Sequence, residues 1–181
     1  MLGGPEKPLL PFIVEIKARC TRQAKIRSLL QERSARFVGK DHQIDTYFRV
    51  QKGRLKLREG TIEQTLIYYE RADKQGAKAS HVELYKHPGA GLKAVLTQSL
   101  GVLAVVDKRR EIYFIDNVKV HLDRVEGLGT FVEIEAIDEE GTIGEMRLRE
   151  QCEHYMALFE IAEEDLVSVS YSDMLLRKQH C

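Results

Sequence analysis

The feature that most restricts the fold is a repeated alternation of apolar with charged residues, in which each stretch carries charges of largely one sign. GRLKLRE at 53–59 sets Arg54, Lys56 and Arg58 on one side of an extended segment and Leu55 and Leu57 on the other. FVEIEA at 131–136 sets Glu133 and Glu135 opposite Val132, Ile134 and Ala136. Lys108 and Arg110 align in the same way, and Lys119, His121 and Asp123 oppose Val118, Val120 and Leu122. Taken strand by strand, an antiparallel sheet with one wet face accounts for the alternation. The signs do not suit that account, because like charges about 7 Å apart along a strand repel, whereas an ordinary solvated face intersperses them. A polyanion would relieve the cationic strands and a hard divalent cation the acidic ones, so a metal-bound triphosphate would satisfy both. Closing the sheet turns the charged face into a tunnel, with the apolar residues packed outward against helices.

The rest of the chain supplies the elements for such a barrel. Residues 13–19 alternate as a strand, and Thr21 stands as an N-cap before a helical stretch reaching about Phe37. Strands are predicted at 41–50, 54–59, 65–71, 81–85, 102–115, 118–125 and 131–137. Asp116-Asn117 predicts a tight turn, and Glu126-Gly127-Leu128-Gly129 a hairpin loop, making the last three strands an antiparallel meander. A short segment with Leu92, Val95, Leu96 and Leu100 has helical spacing. Between about 143 and 159, Cys152, Tyr155, Met156 and Phe159 mark an amphipathic helix whose stripe reads as core packing. Residues 1–11, with three of the four prolines, read as an irregular lead-in, and the terminal SYSDMLLRKQHC has room for one short helix.

Composition narrows the function classes. The 181 residues suit one domain, 1–181. Lys plus Arg and Asp plus Glu each number 28, so the whole molecule exerts no net pull on nucleic acid or an anionic membrane. No apolar run reaches the roughly 18 residues of a membrane span, and the start lacks the order of a signal peptide, so a soluble, cytoplasmic protein is expected. Cys20, Cys152 and Cys181 form neither a disulfide framework nor a zinc motif. There is no GxxxxGK[ST], strand-GxGxxG-helix, GxSxG or HExxH pattern, so any phosphate is held by side chains. Of six histidines only His121 falls on the charged face, as a weak candidate.

These segments resemble the CYTH superfamily, the triphosphate tunnel metalloenzymes, and within it the class IV adenylyl cyclase-like proteins. The likeness runs through VEIKAR at 14–19, QIDTYF at 43–48, GRLKLRE at 53–59, YYERAD at 68–73 and KAS at 78–80. It continues through VDKRREIY at 106–113, HLDRVEGLG at 121–129, FVEIEA at 131–136 and SYSDML at 170–175. The resemblance implies an α+β fold: an antiparallel eight-stranded barrel with flanking helices that binds a triphosphate with Mg2+ or Mn2+. It implies metal ligation by Glu15, Glu133 and Glu135, with Asp123 in or beside the shell. It implies triphosphate contacts from Lys17, Lys56, Arg58, Arg71, Lys108 and Arg110, with Lys78 reaching in from the rim. Without the resemblance, Arg71 and Lys78 read as solvated surface. Asp45 and Tyr171 match motifs too and suit hydrogen-bonding supports equally well.

The implied reaction converts ATP to cyclic AMP and pyrophosphate: a metal on Glu15, Glu133 and Glu135 activates the ribose 3′-hydroxyl, while Lys108, Arg110 and Arg71 stabilise phosphate charge. Two alternatives stand beside it: metal-dependent hydrolysis of inorganic triphosphate, thiamine triphosphate or a nucleotide, and a nucleotide-binding module that turns nothing over. The sequence departs from the resemblance at the first strand, where the family's ExExK begins here with Ile13, leaving Glu15 before Lys17. A second departure is His81, after the KxS element, where relatives tend to be acidic. The expected partners are a nucleotide or other triphosphate, with neither membrane nor bulk nucleic acid, and the fold is compatible with a homodimer.

Overall fold

The structure is a computed structural model that describes residues 10–71, 73 and 76–179; residues 1–9 of the lead-in and Cys181 lie outside the described residues. Alternation becomes eight strands: β1 (Phe12–Arg19), β2 (Arg36–Phe48), β3 (Arg54–Gly60), β4 (Gln64–Tyr69), β5 (Lys78–Lys86), β6 (Val102–Ile115), β7 (Val118–Val125) and β8 (Gly129–Asp138). Helical spacing becomes α1 (Gln23–Glu32), α2 (Leu92–Leu100), α3 (Glu145–Leu158) and α4 (Tyr171–Gln179). Every strand pair is antiparallel, and the order β1-β5-β4-β3-β2-β6-β7-β8 closes on itself. Closure removes both sheet edges and divides each strand's two faces between a lumen and an outer surface.

The outer face is the apolar one. Val14, Ile16 and Ala18 of β1, Val120 and Leu122 of β7, and Val132, Ile134 and Ala136 of β8 are buried against Ile26 and Leu30 of α1, Leu148 and Cys152 of α3, and Phe159. The charged alternates of the same strands therefore point inward. A second apolar cluster closes one end of the lumen, where Tyr47, Val106, Val125 and Phe131 meet Tyr171, Met174 and Leu175 of α4. Cys152 and Cys20 are free thiols, as expected. Among the described residues, no helix is long and apolar enough to cross a membrane.

The local differences from the sequence expectations have backbone causes. The helix expected to reach Phe37 stops at Glu32, because Ser34 takes a left-handed conformation, φ 55, and turns the chain out. Residues 36–40 then lengthen β2, pairing with Glu111–Phe114 of β6. Thr21 is not the N-cap; Arg22 holds that position without a side-chain cap bond. β5 begins at Lys78 rather than His81, since pairing with β1 sets Glu15 opposite Lys78 and Ile13 opposite Ser80. β4 ends at Tyr69, which leaves Arg71 beyond the strand. The Asp116-Asn117 turn is as expected, with Asp116 in the positive-φ conformation that such two-residue connections need, φ 49.

Candidate active site

Burying so many charges is tolerable only if they are paired, and the lumen is a network of pairs. Asp45 of β2 sits beneath the cations: it accepts two hydrogen bonds from Arg58 at 2.8 Å and one from Lys108 at 2.6 Å, with Lys56 at 3.4 Å. Burial alone would raise the Asp45 carboxyl, but Arg58, Lys108 and Lys56 outweigh it and hold it well below the ordinary carboxylate range. Lys108 is driven the other way: burial, against the pull of Asp45 and reinforced by Arg58 and Arg110, pushes its ammonium down to about 7. Arg110 makes a two-pronged contact with Asp123, at 2.7 and 2.6 Å, and reaches Glu133 at 2.8 Å. Tyr171 of α4 donates to the same Asp123 at 2.8 Å, and Lys17 meets Glu133 at 3.0 Å.

The sequence-predicted residues are thus largely gathered, in two arcs. Lys56 and Arg58 on β3 and Lys108 and Arg110 on β6 form the cationic arc, because β2, carrying Asp45, lies between those strands and binds both. Glu133 and Glu135 on β8 lie beside His121 on β7, and ligand atoms of the three fall within 4.8 Å of one another. His121 Nδ1 is 3.2 Å from Glu133 and 3.6 Å from Glu135, while its buried Nε2 has no partner among the described residues. Burial, then Arg110, lowers the His121 pKa and favours the neutral imidazole that a metal requires. Two carboxylates and a neutral imidazole on adjacent strands fit a divalent metal ion that accepts both oxygen and nitrogen donors.

Other expected ligands are otherwise engaged. The Asp123 carboxylate is taken by Arg110 and Tyr171. Glu15 is bonded to Arg71, whose Nε and Nη2 are buried without a partner among the described residues. Lys78 is not brought to the cationic arc: it is fully buried and donates to the Val167 and Ser168 carbonyls at 3.0 and 2.9 Å, tying the C-terminal segment to the barrel. Burial, helped by Arg71 and Lys17, pushes its ammonium down to about 7. Arg54, on the charged face by parity, reaches past the lumen to Asp173 of α4 at 2.8 Å and Asp73 at 2.9 Å.

Sequence reasoning missed Glu63. It lies in the turn between β3 and β4, where no strand parity applies, yet its carboxylate bridges Lys119 and Arg58 across the lumen, accepting from Arg58 at 3.0 Å. Asp41 fixes that turn by accepting from Ile62 N at 2.8 Å, Glu63 N at 3.0 Å and Thr61 Oγ1 at 2.9 Å. The lumen encloses about 420 Å³. Ile13 lines it and packs on Ile67, Tyr69 and Val82, so one wall beside the charges is apolar. A further cavity of about 770 Å³ opens at the end carrying the β2–β3 hairpin, bordered by Phe48, Leu55, Leu103 and Asp173, and it shares Tyr47 and Arg71 with the lumen.

The family model for the CYTH domain matches residues 13–169, and the chain belongs to that family. The same architecture occurs in the PH1012 protein of Pyrococcus horikoshii, 25% identical over 89% of this chain and 98% of that one, with a TM-score of 0.75. A candidate adenylate cyclase from Vibrio parahaemolyticus is 20% identical over 91% and 97% of the two chains, TM-score 0.70. A candidate adenylyl cyclase from Hippeastrum, described as having a dominant triphosphatase activity, is 17% identical over 93% and 96%, TM-score 0.57. The search of curated proteins finds no significant relative.

Proposed function

We propose that the lumen binds the triphosphate of ATP with a divalent metal and that the chain is an adenylyl cyclase-type enzyme, forming cyclic AMP and pyrophosphate. The observation that carries this is the pairing of a cationic arc with a His-carboxylate cluster in one lumen, beside a second, partly apolar cavity that shares Tyr47 and Arg71 with it. An organic triphosphate uses both spaces, its phosphates in the first and its base in the second; inorganic triphosphate uses only one. In this reading Lys56, Arg58, Lys108 and Arg110 hold phosphate oxygens, exchanging contacts with Asp45 and Asp123 for contacts with the ligand. Arg71 offers its two unpartnered nitrogens, Nε and Nη2, to the α-phosphate region, and Lys17 adds a cation beside Glu133. Glu133, Glu135 and His121 would hold the metal, with Glu15 joining once Arg71 turns to the ligand. When bound, that metal supplies activation of the attacking hydroxyl and screening of phosphate charge. As the ribose 3′-oxygen attacks the α-phosphorus its proton passes to water, the bond from that phosphorus to the oxygen bridging the β-phosphate breaks, and the cationic arc stabilises the departing pyrophosphate.

Hydrolysis is the second reading: water attack on a terminal phosphorus needs only a different register of the same chain of phosphates. Ile13 supports a third, a nucleotide-binding role without turnover, because a missing carboxylate leaves fewer metal ligands for either reaction. Incubation with ATP and manganese, followed by mass identification of products, separates the three: cyclic AMP is expected, and phosphate release without it rejects cyclisation. Parallel incubations with GTP, thiamine triphosphate and inorganic triphosphate define the substrate.

A further inference from the structure

In the register of β7 with β8, Lys119 stands directly opposite Glu135, where cross-strand neighbours of opposite charge ordinarily pair. It does not pair there. Its ammonium crosses the lumen to Glu63, whose other oxygen accepts from Arg58 at 3.0 Å and Gln43 at 3.1 Å. Glu63 can reach across because Asp41, itself buried, pins the turn that carries it. Arg71, another cation near this wall, is bonded through Nη1 to Glu15 rather than to Glu135. As a result, Glu135 forms no ion pair with a lysine or arginine among the described residues and has the His121 ring at 3.6 Å, whereas Glu133 already holds Lys17 and Arg110. The buried His121 Nε2, without a partner among the described residues, lies in the same cluster.

We propose that Glu63 is a positioning residue for the metal centre: by holding Lys119 on the far wall it keeps an ammonium off Glu135, leaving that carboxylate open to a divalent cation. This rests on the reading of His121, Glu133 and Glu135 as metal ligands. Without Glu63, Lys119 relaxes onto its cross-strand neighbour and competes with the metal for the same oxygens. The arrangement differs from the usual outer-sphere support, in which a partner orients a ligand by bonding to it; here the partner removes a competitor.

The test is Mn2+ binding, read from the free-ion electron paramagnetic resonance signal, for the wild type, Glu63→Gln, Lys119→Met and the double variant. Glu63→Gln should weaken Mn2+ about tenfold or more, the size usual for outer-sphere changes. Lys119→Met should stay within about threefold of wild type, and the double variant should recover to the Lys119→Met value, since no competitor remains. A merely structural role for Glu63 would leave the double variant as weak as Glu63→Gln, and that result overturns the proposal, as does a Glu63→Gln affinity equal to wild type. Should Glu63→Gln fail to fold, Glu63→Asp keeps the charge but shortens its reach, and a smaller loss, again cancelled by Lys119→Met, is required. No Mn2+ binding by the wild type at millimolar concentration would instead bring down the metal reading itself and the proposal with it.

Discussion

At the scale of single residues, the lumen shows how burial and pairing set the working charge of each group. Lys108 is the clearest case. With its ammonium pushed down to about 7 it is half neutral near neutrality in the ligand-free protein, and a bound polyanion would restore the proton. Triphosphate affinity should therefore be highest below pH 7 and fall as pH rises above it, by up to tenfold per unit until the pKa of the complex is reached, because each binding event must then take up a proton. Calorimetry in buffers of different ionisation enthalpy would register that uptake, and a flat profile between pH 6 and about 9 would contradict it. Lys108→Ala should remove the pH dependence and weaken triphosphate by about 10 to 100-fold, the scale of a lost charge-assisted contact; unchanged affinity would take Lys108 out of the site. Ile13, which stands where the resemblance implies the first carboxylate of ExExK, faces the lumen rather than the outer core. Ile13→Glu should raise manganese-dependent turnover by about tenfold or more while costing about 1–3 kcal/mol of stability, since the new carboxylate displaces contacts with Ile67, Tyr69 and Val82. Rate assays with urea melts measure both, and no gain in rate would mean that the absent ligand does not limit catalysis.

Individual elements position the site through their ends as much as through their faces. The β3–β4 turn is built around Asp41, and Gly60 makes room for it: a Cβ there would come within 2.5 Å of the Glu63 carbonyl and 2.8 Å of both Asp41 carboxylate oxygens. Gly60→Ala should cost about 1–3 kcal/mol by overpacking and shift Glu63 off Lys119. A lowered urea midpoint together with weaker Mn2+ binding is the expected pair of observations; a variant as stable as wild type would show that the turn gives way freely. α4 works at the opposite end, where Tyr171 bonds to Asp123, Asp173 draws in Arg54, and Met174 and Leu175 cover the apolar plug. α1 and α3, in contrast, touch only the outer face of the wall, so they fix the barrel's shape without entering the lumen.

Over the whole molecule, an equal count of acidic and basic residues conceals an internal division, with paired cations on β3 and β6 and the carboxylates Glu133 and Glu135 on β8. Period-two alternation in RLKLR, KVHLD and EIE was sufficient to assign charges to one face and aliphatics to the other, because strand geometry makes parity a local property. The like-signed runs made an inward charged face the better reading, and the closed barrel agrees. Parity could not locate Glu63, which sits in a turn, nor separate Arg54 from Lys56 and Arg58, since all three share a face and only the distance to α4 divides their roles. Nor could it tell that Lys78 would spend its donors on the carbonyls of Val167 and Ser168, almost ninety residues later in the chain. The sequence by itself determined which residues share a face and hence that a charged interior had to be enclosed. Only the tertiary structure decided which charge meets which, because those partners are chosen by strand order and barrel closure, which bring together residues far apart in the chain.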